Sequence, residues 1–217
     1  MFEGIAGRYD LANHVLSFGI DGLWRRRAAA IVGGAGARRV LDVATGSGDL
    51  ALAIARACPH AYVMGVDFCE PMLEVARAKG VPNLALADAL SLPFADGSFE
   101  AVTVAFGLRN MASWEAGLKE MRRVLAPGGL LLVMDFSLPA FAPLRMAYRL
   151  YLHRVLPRLA GALTGKPEAY AYLGESIEGF PRGDAMLEMV ARCGFRDTSL
   201  SPLAMGVAAI TTARRDG

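Results

Sequence analysis

Hydrophobic and polar positions fall into alternating blocks along most of the chain. Apolar, β-branched runs at 39–44, 62–67, 84–88, 100–106 and 129–136 predict strands. Runs with helical spacing at 49–57, 70–79 and 112–125 lie between them. That β-α-β-α rhythm predicts a parallel, doubly wound sheet of the α/β class, whose ligands bind beyond the carboxyl ends of the strands. Pro127-Gly128-Gly129 reads as the turn into the fifth strand. A later helix at 183–193, with Gly194 as its C-cap, leads to two strands near 195–201 and 205–213. The expectation is a Rossmann-like, mostly parallel, seven-stranded sheet ending in an antiparallel edge hairpin.

Two segments break the rhythm. In residues 1–36, Leu11, Val15 and Leu16 share a helical face and a second helical run goes from Leu23 to Ile31. This predicts an N-terminal helical cap on the sheet, from which Tyr9 and Asp10 reach the site from above. Arg25-Arg26-Arg27 read as a solvated helix face. Residues 138–182 form a proline-punctuated lid insertion. It carries Arg145, Arg149, His153, Arg154, Arg158 and Lys166, with no acid between Asp135 and Glu168. A basic amphipathic helix of this kind suits an anionic membrane surface, at about 1 kcal/mol per nearby cation. The same apolar face can instead cover a substrate or pack at the interface of a homodimer.

Composition narrows the class. A chain of 217 residues, 54% hydrophobic and 20% charged, suits one domain spanning 1–217. No apolar run reaches the roughly 18 residues of a bilayer span. Residues 1–10 lack the apolar core of a signal peptide, so a cytoplasmic enzyme, peripheral at most to the inner face of the membrane, is expected. A net charge of +2 points to no nucleic acid. Cys58, Cys69 and Cys193 are widely spaced, and His14, His60 and His153 are scattered, so no metal site is expected.

The candidate chemistry centres on Val40–Ala51, a strand, a tight turn and a helix. Gly46 and Gly48 let backbone N–H groups approach a ligand closely. With Ala51 they fit a dinucleotide fingerprint, and Asp67 follows at the roughly 20-residue distance of a ribose-binding acid. Asp42, four positions before Gly46, makes D-x-x-x-G-x-G, which resembles motif I of the S-adenosylmethionine-dependent methyltransferases. There the acid organises the loop around the methionine end of the cofactor. Asp67, at the end of the second strand, can accept both ribose hydroxyls; capping the next helix is the alternative. Asp88 ends the third strand, where a methyltransferase puts a carboxylate by the adenine amino group with the next backbone, Ala89, against the ring. Phe106-Gly107-Leu108-Arg109-Asn110 follows the fourth strand. Arg109 and Asn110 can orient a phenol oxygen there; a structural Arg109 paired with a nearby carboxylate is equally open.

Over nearly its whole length the chain resembles the ubiquinone/menaquinone biosynthesis C-methyltransferase family. The resemblance runs from 1–10, with Asn13, 16–19 and Trp24-Arg25, through 41–50 and 67–73, is most specific at 102–110, and continues through 123–129, 172–177 and 180–181. It implies S-adenosylmethionine as cofactor, with contacts from Asp42, Gly46, Ser47, Gly48, Asp67, Phe68, Asp88, Ala89 and Ala105. Ser47 stands where threonine is usual, Ala105 where some relatives carry serine, and Asp135 where glutamate is common. The implied reaction methylates a ring carbon of a prenylated hydroquinone, demethylmenaquinol or a ubiquinol precursor. Arg109 would stabilise phenolate charge, Asn110 would position a hydroxyl, and Tyr9 would assist. A methyltransferase acting on another small molecule, a phenol, amine or sterol, is the alternative.

Overall fold

The computed structural model describes residues 19–157 and 167–217, with side chains from 173 onward in the second segment. Tyr9, Asp10, Arg158 and Lys166 lie outside the described residues. Helix α1 (Asp21–Gly34) precedes β1 (Arg39–Val43), α2 (Asp49–Ala57), β2 (Tyr62–Asp67), α3 (Glu70–Ala78) and β3 (Leu84–Leu86). The second half follows with β4 (Phe99–Ala105), α4 (Trp114–Val124) and β5 (Leu125–Phe136). The lid carries α5 (Ala142–Leu150), which runs on into a π-helical turn at Tyr151–Val155, and then α6 (Pro167–Gly179). Helix α7 (Asp184–Arg192) and the hairpin β6 (Phe195–Leu203) and β7 (Ala208–Arg215) complete the fold.

The seven strands form one sheet in the order β3-β2-β1-β4-β5-β7-β6. The first five are mutually parallel; β7 runs antiparallel to β5 and to β6. Continuous apolar runs suit the central strands because both faces are covered. Successive residues of β5 divide between two cores. Leu130, Leu132, Met134 and Phe136 pack toward Trp24 and Ala28 of α1, Leu50 and Ile54 of α2, and Tyr148 and Leu152 of the lid. Leu131 and Val133 pack toward Leu118 and Met121 of α4 and Met189 and Val190 of α7.

Three local expectations are revised. The third strand stops at Leu86, so Asp88 lies beyond it rather than at its last residue. Pro127-Gly128-Gly129 is an irregularity inside β5, which pairs Leu125 with Phe99 and resumes at Leu130 opposite Ala101. The lid's basic face is partly neutralised across sequence: Glu178 on α6 pairs with Arg149 at 2.8 Å and with His153 at 3.1 Å. Among the described residues no helix is long and apolar enough to cross a membrane.

Candidate functional site

Strand order reverses between β1 and β4, and a cleft opens there at the carboxyl ends of the strands. It encloses about 780 Å³ of open space, its solvent-facing mouth included. Both connections leaving the switch point begin on a non-glycine residue in the left-handed region, Ala44 (φ 50°) after β1 and Phe106 (φ 58°) after β4. Backbone in that region costs about 1–3 kcal/mol per residue and persists where the surroundings fix it. Around Phe106 the fixing groups are visible. Its carbonyl accepts from Arg109 Nη1 at 2.7 Å and from Asn110 Nδ2 at 3.2 Å, while its N–H donates to Met134 O at 2.8 Å.

Asp42 is buried at the floor. Its two oxygens accept from Thr45 Oγ1 at 2.7 Å and from Thr103 Oγ1 of β4 at 2.6 Å, riveting the glycine turn to both switch-point strands. Burial is the largest influence on its carboxyl and pushes it from 3.8 up to about 6, with the two threonine hydroxyls opposing. The folded-state value is the raised one. The stabilisation tied to this group is therefore fully present below about pH 4 and is lost as pH rises through about 6. Asp42→Asn removes that titration. Chemical denaturation from pH 4 to 7 is expected to show the variant gaining on the wild type by up to about 3 kcal/mol. A difference constant over that range would contradict the burial-raised Asp42.

The turn itself is held from β2. Asp67 Oδ2 accepts from Gly46 N at 2.8 Å and Oδ1 from Cys69 N at 2.9 Å. Each carboxylate oxygen has a second lone pair, so Asp67 can still receive ligand hydroxyls. Burial raises its carboxyl above the usual range and these backbone donors oppose the rise. A Cβ on Gly46 would sit 3.2 Å from Met72 Cε, at the wall of the cleft. Gly48 is glycine for another reason: at φ 81° its Cβ would lie 2.3 Å from Val81 Cγ2, so it admits close helix packing. Ser47 is buried, and its hydroxyl accepts from Lys79 Nζ at 2.8 Å.

The cleft is lined by Asp42, Gly46, Ser47, Asp67, Phe68 and Ala105 from the expected cofactor set, and by Asn110. Phe68 is an exposed aromatic at its rim. Gly48, Asp88 and Ala89 are outside the lining; Asp88 is exposed and its Oδ1 accepts from Leu90 N at 2.9 Å, closing a turn. Arg109 is not at the lining either. Its guanidinium is fully buried, 2.5 Å from Asp135 Oδ1, and lies 5.5 Å from the Phe136 ring centre. Asp135 pairs with it behind Phe106, as in the structural alternative raised by the sequence. Lining residues outside the expected set include Arg25, Thr45, Asp49, Met72 and Phe106. Asp21 and Arg25, four residues apart on α1, were the available signal for a turned-in arginine.

The cleft suits a sulfonium nucleoside better than a dinucleotide. Its lining holds three carboxylates (Asp42, Asp49 and Asp67) and one guanidinium, Arg25, which lies 3.7 Å from Asp49. A pyrophosphate would add two negative charges there, whereas a sulfonium and an ammonium bring positive ones.

Comparison with known proteins agrees. The sequence profile of the ubiE/COQ5 methyltransferase family matches residues 1–215. A demethylmenaquinone methyltransferase of Thermus thermophilus is 50% identical over 215 residues, covering 97% of either chain. The ubiquinone/menaquinone biosynthesis C-methyltransferase UbiE of Geotalea daltonii is 42% identical over 223 residues, covering 99% of this chain and 94% of its own. A SAM-dependent methyltransferase of Thermotoga maritima shares the fold, with a TM-score of 0.70 at 18% identity over 99% of this chain and 98% of its own.

Proposed function

The chain belongs to the ubiE/COQ5 methyltransferase family, and on that premise we propose that it moves the methyl group of S-adenosylmethionine onto a ring carbon of a prenylated hydroquinone, demethylmenaquinol foremost. The observation that carries this reading is the 50% identity, across 97% of the chain, to a demethylmenaquinone methyltransferase. The cleft supports it by its place at the switch point and by its carboxylates.

Bound S-adenosylmethionine supplies an electrophilic methyl group on a cationic sulfur. Asp67 takes the ribose hydroxyls, and Phe68 with Asp88 and Ala89 takes the purine at the open end. Asp42, Gly46, Ser47 and Gly48 shape the floor under the methionine end, with Ala105 offering backbone contact only. Asn110 presents its carboxamide to the acceptor. Arg109 serves as a positioning residue, since it and Asn110 both hold the Phe106 carbonyl and so set the cleft wall. Tyr9, outside the described residues, is proposed to assist at the acceptor.

The acceptor must be the reduced quinol. Loss of a phenol proton makes the adjacent ring carbon a nucleophile, whereas an oxidised quinone carbon is electron-poor. In-line attack breaks the methyl–sulfur bond and leaves the neutral thioether, and loss of the ring proton to solvent restores aromaticity; the step depends on alignment and exclusion of water. Under anaerobic reduction, demethylmenaquinol is expected to gain one carbon-bound methyl. Its oxidised form should gain none, and a benzoquinol with the same tail should react more slowly. Methylation at oxygen, or equal turnover of the oxidised form, would refute the reading.

A prenylated acceptor resides in a bilayer, and the lid faces solvent with matching chemistry. Phe141, Met146, Leu150 and Val155 are 69%, 72%, 55% and 41% exposed. These exposed apolar groups, with the exposed Arg154 among them, suit the headgroup boundary of an anionic membrane, while Glu178 already holds Arg149. Met146→Asp with Leu150→Asp should abolish flotation with phosphatidylglycerol vesicles while leaving turnover of a short-tailed quinol intact. Unchanged flotation would retire the membrane contact.

A further inference from the structure

We propose that Arg25 anchors the α-carboxylate at the methionine end of the methyl donor, an inference that rests on the donor being S-adenosylmethionine. Arg25 sits on α1, outside the glycine turn; the Trp24-Arg25 pair belongs to the family resemblance but carries no cofactor role in the sequence. The structure nevertheless turns it into the cleft. Its side chain is 12% exposed, and its guanidinium carbon lies 5.8 Å from the centre of the Phe106 ring. Two carboxylates orient it: Asp21 pairs with Nη1, and Asp49, the first residue of α2, lies 3.7 Å from Nη2. Its neighbours Arg26 and Arg27 face solvent.

Charge then distributes the ligand. Among the described lining residues Arg25 is the one cation, beside Asp49 and in one cleft with Asp42 and Asp67. An amino-acid sulfonium nucleoside carries two cationic groups, sulfonium and ammonium, and a single anion. The cations suit the carboxylates, and the carboxylate is left to the guanidinium. An arginine fork matches carboxylate geometry in two parallel hydrogen bonds and offers five donors, more than Asp21 and Asp49 use. Lys79 does not compete, because it is outside the lining and its ammonium holds Ser47 Oγ at 2.8 Å and Asp49 Oδ1 at 2.7 Å.

The test separates the amino-acid end of the ligand from its nucleoside end. Titration calorimetry would compare S-adenosylhomocysteine with 5′-methylthioadenosine, which keeps the ribose and purine but has no amino acid. Arg25→Gln is expected to weaken S-adenosylhomocysteine by roughly 10- to 100-fold and to leave methylthioadenosine unchanged. Arg25→Lys should fall between, and Arg26→Gln should match the wild type for both. If Arg25→Gln does not fold, the ratio of the two affinities is read in Arg25→Lys instead. Unchanged S-adenosylhomocysteine binding overturns the anchor. So does an equal loss for both ligands, which would leave Arg25 as a tie between α1 and α2. Wild-type protein that binds neither ligand would refute the donor itself, a separate result from failure of the anchor.

Discussion

Replacing Arg109 with methionine is expected to lower the free energy of unfolding by about 3–5 kcal/mol, the cost of leaving one partner of a buried ion pair alone. Asp135 is the partner left behind, with a side chain 4% exposed. It would keep its backbone donors, Phe136 N at 2.8 Å and residue 109's N at 3.4 Å, but no cation. Burial already pushes the Asp135 carboxyl above the usual range and Arg109 opposes that rise, so the variant should recover stability toward acid pH, where Asp135 can protonate. In a chain of 217 residues the loss corresponds to a melting temperature lower by about 10 °C. Arg109→Met combined with Asp135→Leu removes both charges and should restore most of the stability. Turnover should not return with it, because the Phe106 carbonyl still lacks its 2.7 Å donor. If Arg109 instead touched the acceptor ring, the single variant would lose turnover with its melting temperature nearly unmoved.

The second large effect is at Asp67. Asp67→Ala should weaken S-adenosylhomocysteine by about 100-fold, the loss of two charge-assisted hydrogen bonds to vicinal hydroxyls. Part of that loss would come through the turn, since Asp67 also holds Gly46 N at 2.8 Å. The 2′-deoxy analogue distinguishes the two contributions. Wild type should discriminate against it, and Asp67→Ala should bind it no worse than the parent ligand. Continued discrimination by the variant would place the ribose elsewhere.

These two sites show where sequence suffices and where it stops. The span of α2, 49–57, and that of β2, 62–67, are legible because periodicity and turn residues bound them on both sides. Asp42, Gly46 and Asp67 are legible because strand-end chemistry at a glycine turn is local. Arg109 is not: its fate depends on a carboxylate 26 residues away on the neighbouring strand. Local spacing left its catalytic and structural roles even. Arg25 fails for a related reason. Three consecutive arginines look alike in sequence, and only the helix phase set by Trp24 and Ala28 against the sheet turns one of them inward. That Glu178 would hold Arg149 and His153 of the lid was not legible either, because it arrives from α6. Asp88 falls two residues past the end of β3, which stops at Leu86, and its carboxylate closes a turn onto Leu90 N.

The account stands on one placement: a sulfonium nucleoside in the switch-point cleft, with its sugar on Asp67. A crystal structure of the S-adenosylhomocysteine complex measures it directly. Both ribose hydroxyls are expected within hydrogen-bonding distance of the Asp67 carboxylate, with the sulfur above the turn between Ala44 and Phe106. Density for the nucleoside outside this cleft, or a ribose turned away from Asp67, would contradict it.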